Sequence, residues 1–306
     1  MKKMLSTKEV AAFLGVNEKM VYTLVAEKDL PASKITGKWL FPQHLVEQWV
    51  EANTLNMPTP DSDATHDNGV LVIAGSNDPL LEKTIGLFNS QNGERLAVFG
   101  NLGSMIGIRM LKQGKCHIAT SHLLQTDGDD YNFEYLSTKA APPPVVVNFC
   151  RRRQGLLLAP DNPHNIRQTE DLIRKELRIV NRKLGTGTRL LFDRALKAAN
   201  IKSEQINGYD CEVERHIDVG LAIVAGTADA GPGIQPVAEQ LGLAFVPWRW
   251  ERYDLLIDRN RFFNPATQDF LSLLHDQAFI DLAGPYNGYD LSSSGKMIFP
   301  PDNRRR

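Results

Sequence analysis

The 306-residue chain has few cysteines, no surplus of charge and no long apolar run, and each shortage removes a class of function. Cys116, Cys150 and Cys211 are an odd number, widely separated and without metal-ligand spacing. They predict buried free thiols and argue against a disulfide framework or a cysteine zinc site. With 35 Lys and Arg against 36 Asp and Glu, the formal net charge is −1. Contact with nucleic acid would then have to come from locally placed lysines, a modest basic surface that pairing of two copies would double. No stretch approaches the roughly 20 apolar residues that span a bilayer, which argues against a membrane protein. Met1-Lys2-Lys3 opens like a secretory signal, but polar Ser6-Thr7-Lys8-Glu9 stands where the apolar core of a signal belongs, so the chain is expected in the cytoplasm.

Catalytic patterns are also missing. The sequence has no Gly-x-Ser-x-Gly elbow, no His-Glu-x-x-His and no Cys-x-x-Cys. His117, His122, His164 and His216 fall in different expected elements, and Asp129-Asp130 reads as a solvated turn. Gly185-Thr186-Gly187-Thr188 lacks the Lys-Ser/Thr ending of a phosphate loop. The expectation is a protein without catalytic residues, metal site or resident cofactor.

What is present is an ordinary globular composition, 42% hydrophobic and 23% charged, in a chain long enough for about two domains. Ser6 followed by Glu9 forms a capping box that starts a helix, with Val10, Phe13 and Leu14 as its apolar face and Gly15 as its turn. Asn17 caps a second helix whose apolar side is Met20, Val21, Leu24 and Val25, leaving Lys19, Tyr22 and Thr23 outward or at the margin. Leu30-Pro31 breaks the pattern, and Ser33 to Phe41 reads as a hairpin turning at Thr36-Gly37, with Lys34 and Lys38 beside the turn. Pro42 opens a third helix carrying Leu45, Val46 and Trp49.

This order resembles the excisionase-like, MerR-type winged helix-turn-helix domains. The pattern is carried by Thr7-Lys8-Glu9-Val10-Ala11, Leu14-Gly15-Val16, Val21-Tyr22, Leu30-Pro31 and Lys38-Trp39-Leu40-Phe41-Pro42. The resemblance implies binding of double-stranded DNA through residues 1–52, with the second helix in the major groove. Lys19, Tyr22 and Thr23 are the candidate base-side contacts, and Lys34 and Lys38 the candidate phosphate contacts.

Residues 53–68 are rich in Thr, Pro, Asp, Asn and Ser and read as a linker. From 69 to 306 strand and helix signals alternate: Val70–Ala74, Arg95–Phe99 and Cys116–Thr120 are expected strands, each ending in a polar loop. Val145–Cys150 and Gln154–Pro160 read as two strands interrupted by Arg151-Arg152-Arg153, and Phe245–Pro247 and Tyr253–Ile257 as two more. Asn181 to Arg189, Val219 to Gly231 and Phe245-Val246-Pro247 with Glu251 to Leu255 carry a resemblance to a two-lobed type 2 periplasmic-binding-protein fold placed behind a helix-turn-helix. The fold class is therefore α/β, a winged helix-turn-helix followed by a two-lobed binding-protein-like domain.

Gly185, Thr186, Gly187, Thr188 and Arg189 place hydroxyls and free backbone N–H groups at a helix start, a natural seat for an anion. Ser121 and the loops at Gly75-Ser76 and Gly103-Ser104 face the same expected cleft. Within the resemblance the two Gly-Ser loops look like those of molybdate and tungstate binding proteins, which makes such an oxyanion the first candidate effector. Trp248, Trp250 and Tyr253 are expected to pack core or hinge. The main expectation is a DNA-binding regulator, paired as a homodimer, that senses a small anionic ligand; the alternatives are an oxyanion-binding module whose head contacts protein, and an enzyme on the same scaffold.

Overall fold

Short-range signals set the N-terminal unit. The computed structural model describes residues 3–35, 37–53, 69–126, 128, 130–136 and 143–300. The chain divides into two units, Met1–His66 and Asp67–Arg306. Thr36, Asp129 and the expected linker beyond Asn53 lie outside the described residues.

The first unit runs β1 (Met4–Ser6), α1 (Thr7–Leu14), α2 (Glu18–Glu27), β2 (Ser33–Ile35), β3 (Lys38–Pro42) and α3 (Gln43–Ala52). Ser6 and Glu9 form the reciprocal capping box, with the Ser6 N–H donating to the Glu9 carboxylate at 2.7 Å. Gly15 ends α1 at φ 65°, a left-handed value that glycine adopts at little cost. Asn17 Oδ1 accepts the Met20 N–H at 2.8 Å and starts α2. The strands form one antiparallel sheet in the order β1-β3-β2. β1 is too short to show a periodicity, which is why only the hairpin was legible in the sequence.

The core of this unit is Leu5, Val10, Ala11, Val21, Leu30, Phe41 and Val46. Two expected core residues lie outside it: Phe13 is 49% and Met20 44% exposed. Ala11 takes the inward position because Val10, Ala11 and Leu14 fill the stripe facing α2 and the sheet. Trp49 packs on this core and donates its Nε1–H to the Lys28 carbonyl at 2.8 Å, tying α3 to the end of α2.

The second unit begins with β4 (Val70–Gly75), α4 (Pro79–Gln91), β5 (Leu96–Asn101), α5 (Ser104–Lys112), β6 (Ile118–Ser121), α6 (Phe133–Leu136) and β7 (Val145–Leu158). It continues through β8 (Asn181–Arg182), α7 (Gly187–Ala198), β9 (Glu212–Val213), α8 (His216–Val224), β10 (Ala230–Ile234) and α9 (Gln235–Leu241). β11 (Ala244–Ile257), α10 (Pro265–Ser272), α11 (Gln277–Ala283) and β12 (Tyr289–Asp290) complete it. β4 pairs in parallel with β5 and β6, while β7, β10 and β11 pair antiparallel. The main sheet follows the path β10-β7-β11-β6-β4-β5.

Two pairs of expected strands are single elements. β7 and β11 are each 14 residues long and pair from Val145–Ile257 at one end to Leu158–Ala244 at the other. The triple arginine does not interrupt β7, because strand alternation separates its members: Arg152 turns inward and is fully buried, while Arg151 and Arg153 flank Trp250, at 6.0 and 5.7 Å from its ring centre. Separate hydrophobic clusters lie toward the two ends of this ribbon. Leu71, Ile73, Phe88, Phe149, Phe270 and Phe279 form the first lobe, and Leu156, Ile179, Phe192, Val219, Ile223 and Val237 the second. Cys116 and Cys150 are buried, but Cys211 is an exposed thiol, contrary to expectation, because it lies in the loop before β9. Among the described residues no helix is long and apolar enough to cross a membrane.

Candidate functional site

The carboxyl end of β4 delivers Ser76, Asn77 and Asp78 into the region between the lobes, all buried. Asp78 caps α4 by accepting the N–H groups of Leu80 and Leu81, and it also accepts from the Tyr289 hydroxyl at 2.9 Å. Its other oxygen meets Arg152 Nη1 at 2.8 Å. Arg152 donates its Nε–H to Glu251 Oε1 at 2.6 Å and lies 4.3 Å from the centre of the Tyr253 ring. Gln154, two residues along β7, donates to the same Glu251 oxygen and to Thr188 Oγ1. His122 closes the row, with Nδ1 2.8 Å from Glu251 Oε2 and Nε2 3.0 Å from Ser76 Oγ.

Burial opposes the charge of Glu251, but His122 and Arg152 outweigh it and hold the carboxyl at about 2. Burial likewise opposes the charge of Arg152, and Glu251 with Asp78 more than restores it. His122 is pulled below the ordinary histidine value, first by burial and then by Arg152 and Arg182 against the opposing pull of Glu251. A neutral His122 carries its proton on Nδ1, facing Glu251, so Nε2 accepts from the Ser76 hydroxyl; this tautomer is assigned from its partners.

Beside this row, among the described residues, stands a set of buried polar atoms without partners. They are Arg152 Nη2, Nε and Nη1 of Arg182, both ring nitrogens of His216, and Ser104 Oγ. Arg182 is 1% exposed and, among the described residues, has no carboxylate in ion-pair range; burial first, then the charge of Arg152, lower its guanidinium to about 9. His216 is fully buried, 6.4 Å from His122 between ring centres, and held well below the ordinary histidine value by burial, Arg182, Arg152 and His122. Two buried amide oxygens, Asn77 Oδ1 and Gln154 Oε1, also lack partners. Ser104 and Gly187 begin α5 and α7, whose first N–H groups have no intrahelical acceptor.

The sequence candidates divide on this geometry. Ser76 and Ser104 enter the site, Ser76 through His122 and Ser104 with a free hydroxyl. Gly187 and Thr188 enter it as the first turn of α7; a Cβ on Gly187 would sit 2.6 Å from the His122 ring. Gly103 and Gly185 line a pocket of about 170 Å³ with Met105, Lys183 and Thr186, and none of the buried site's polar side chains lines it. The Thr186 hydroxyl is occupied, capping α7 and donating to the Lys183 carbonyl. Gly75 is a packing residue, since Thr120 and Gly107 press against its Cα.

Two candidates point elsewhere. Ser121 donates to Asn132 Oδ1 at 2.7 Å, beneath β6. Arg189 spends its guanidinium inside the second lobe on Asp193, Glu212 and the Arg182 carbonyl, 4.2 Å from the Tyr209 ring centre. Sequence reasoning missed Arg152, Arg182 and Glu251, placed the Ser121-His122 loop at the cleft without a role for the imidazole, and counted His122 and His216 among scattered histidines. Tyr253 is buried, donating to the Ser76 carbonyl, and Trp248 stacks on Phe192 at 5.9 Å.

In the first unit Lys19 and Tyr22 are exposed on α2, and Thr23 is half-buried with its hydroxyl 3.4 Å from the Lys19 carbonyl. Spacing of three and four residues puts all three on one helix face. Lys34 and Lys38 are exposed on the hairpin, with Lys34 lying 5.5 Å from the centre of the Trp39 ring. Among the described residues no His, Cys, Asp and Glu group is arranged to hold a metal ion.

The chain belongs to the PBP superfamily, whose domain model matches residues 85–275, and a helix-turn-helix domain model matches residues 4–54. That order is the build of a DNA-binding regulator with a ligand-binding domain. Among relatives, it is 27% identical over 301 residues to the uncharacterised protein YvgK of Bacillus subtilis (strain 168), covering 95% of this chain and 96% of that protein. An uncharacterised Clostridium pasteurianum protein from the 5′ region of a 2Fe-2S ferredoxin gene is 29% identical over 111 residues, 36% of this chain and 97% of the other. The fold is also that of a candidate phosphate ABC transporter substrate-binding protein of Clostridium perfringens, solved with bound phosphate. That match has a TM-score of 0.53 at 13% identity, over 70% of this chain and 96% of that one.

Proposed function

We propose that the protein is a one-component transcription regulator of the cytoplasm, in which the second unit closes on a small anion and a homodimer of the first unit binds operator DNA. The observation that carries the ligand class is Arg182, a buried guanidinium with two nitrogens unpartnered and, among the described residues, no carboxylate within ion-pair range. Isolated buried charge costs several kcal/mol, and an anion received between Arg182, Arg152 Nη2, Ser104 Oγ and the first turn of α7 removes that cost. Molybdate and tungstate remain the first candidates through Ser76 and Ser104. The two arginines extend the class to phosphate, sulfate and small organic acids, and the phosphate held by the Clostridium perfringens protein supports the suitability of the scaffold for an oxyanion.

The row Glu251–His122–Ser76 has the atom order of a nucleophile relay. Arg152 neutralises Glu251, however, and two arginines depress the basicity of His122, so the row is poorly suited to deprotonating serine. We therefore read the protein as a binder without turnover. Thermal unfolding of the full chain against molybdate, tungstate, phosphate, sulfate and small organic acids tests the ligand class; several kcal/mol of stabilisation is expected at about 1,000 times the dissociation constant. No shift with any of them rejects the anion. Gel shifts with the upstream region of its own gene test the head. A binding module with a protein-contacting head predicts no preference over random DNA, and a chain without residues 1–67 then behaves like the full chain.

A further inference from the structure

The His122 and His216 rings lie 6.4 Å apart between centres, one partnered on both nitrogens and the other, among the described residues, on neither. A neutral His122 claims the Ser76 hydroxyl proton for its Nε2, leaving Ser76 to meet an incoming anion with lone pairs only. Protonation reverses that bond: Nε2–H then donates to Ser76 Oγ, and the hydroxyl proton is free for the anion. A neutral His216 offers one N–H and one lone pair, and an oxyanion that carries no hydrogen satisfies only the first. Resting on the anion reading above, we infer that closure on an oxyanion takes up one proton onto the His122–His216 pair.

The surrounding charges favour this coupling. Arg152 on β7 and Arg182 on β8 act on both rings, Glu251 on β11 acts on His122, and each histidine faces the other. Without an anion the guanidinium field and burial keep both imidazoles neutral. An anion seated against Arg152 and Arg182 cancels that field, and Glu251 at 2.8 Å already stands as counterion to an imidazolium at His122.

The test is calorimetry of the full chain with molybdate and with sulfate, in buffers of differing ionisation enthalpy over roughly pH 6 to 7.5, below the range in which Arg182 titrates. About one proton taken up per anion is expected, with affinity falling about tenfold per unit of rising pH. His122→Gln, His216→Gln and the double variant report where the proton resides; the wild-type buffer comparison stands even where a variant fails to fold. Heats equal in all buffers with an affinity flat in pH overturn the inference and leave the anion reading intact. Uptake undiminished in a folded double variant overturns it, as does binding restricted to hydrogen phosphate or arsenate, because the proton then arrives on the ligand. Failure of every anion to bind overturns both readings.

Discussion

Arg182 holds a charge where charge is costly, and the rest of the cleft is arranged around that fact. Its neighbour Arg152 is neutralised twice over, by Asp78 and Glu251, so that only one nitrogen is left for a ligand. Replacing Arg182→Met should raise the stability of the unliganded chain by about 1–3 kcal/mol in urea unfolding, because an uncompensated buried charge is removed. The same variant should lose stabilisation by anions. Glu251→Gln acts in the opposite sense, costing about 3–5 kcal/mol by leaving Arg152 with one counterion. The folded-state value of Glu251, about 2, lies below its ordinary 4.5. Its contribution is thus full above about pH 4.5 and lost as pH falls toward 2, a loss of acid stability that Glu251→Gln should abolish. Sequence reading found Ser76 and Ser104, because short hydroxyls after a strand or at a helix start announce donors. It placed Arg189 in the cleft for the same reason, but Asp193 stands one turn on along α7, at i,i+4, and the fold adds Glu212 and Tyr209 from farther along the chain.

At the scale of elements, local patterns were legible and strand continuity was not. Capping box, glycine turn, hairpin and the strand–helix repeats up to β6 each carry their signal within a few residues. β7 reads as two strands because Arg151-Arg152-Arg153 resembles a solvated break; the acidic partners that make Arg152 tolerable inside come from Asp78 and Glu251, remote in sequence. His216 and Arg182 were hidden in the same way, each in a run of polar residues whose inward member depends on where α8 starts and β8 ends. The start of α7 gives a test at this scale. Gly187 allows that helix to lie on His122, and a Cβ there would come within 2.6 Å of the ring. Gly187→Ala should push His122 away from Ser76 and weaken anion binding about tenfold or more by calorimetry, with the helix itself intact or strengthened.

For the whole molecule, the near-zero charge balance makes the DNA-binding head dependent on a few exposed lysines. Lys38→Ala should weaken binding to all sequences and reduce the slope of log affinity against log salt by about one per head. Lys19→Ala, on the exposed face of α2, should also change which bases are preferred in a binding-site selection. The two-unit plan was readable from composition, since the Thr-, Pro- and Asp-rich stretch separates two regions of different periodicity.

The ribbon of β7 and β11 has a mechanical consequence. Arg152 and Glu251 are registered opposite each other on it, between the slips in pairing at Pro247/Arg249 and Tyr253/Asp254. Bending of the ribbon at those slips is expected to leave the Arg152–Glu251 pair in register while Ser104 and Gly187, at the starts of α5 and α7, change their separation. On the anion reading proposed above, contacts at Arg152 and at these helix starts are therefore expected to form in separate steps, which two phases in stopped-flow binding would show.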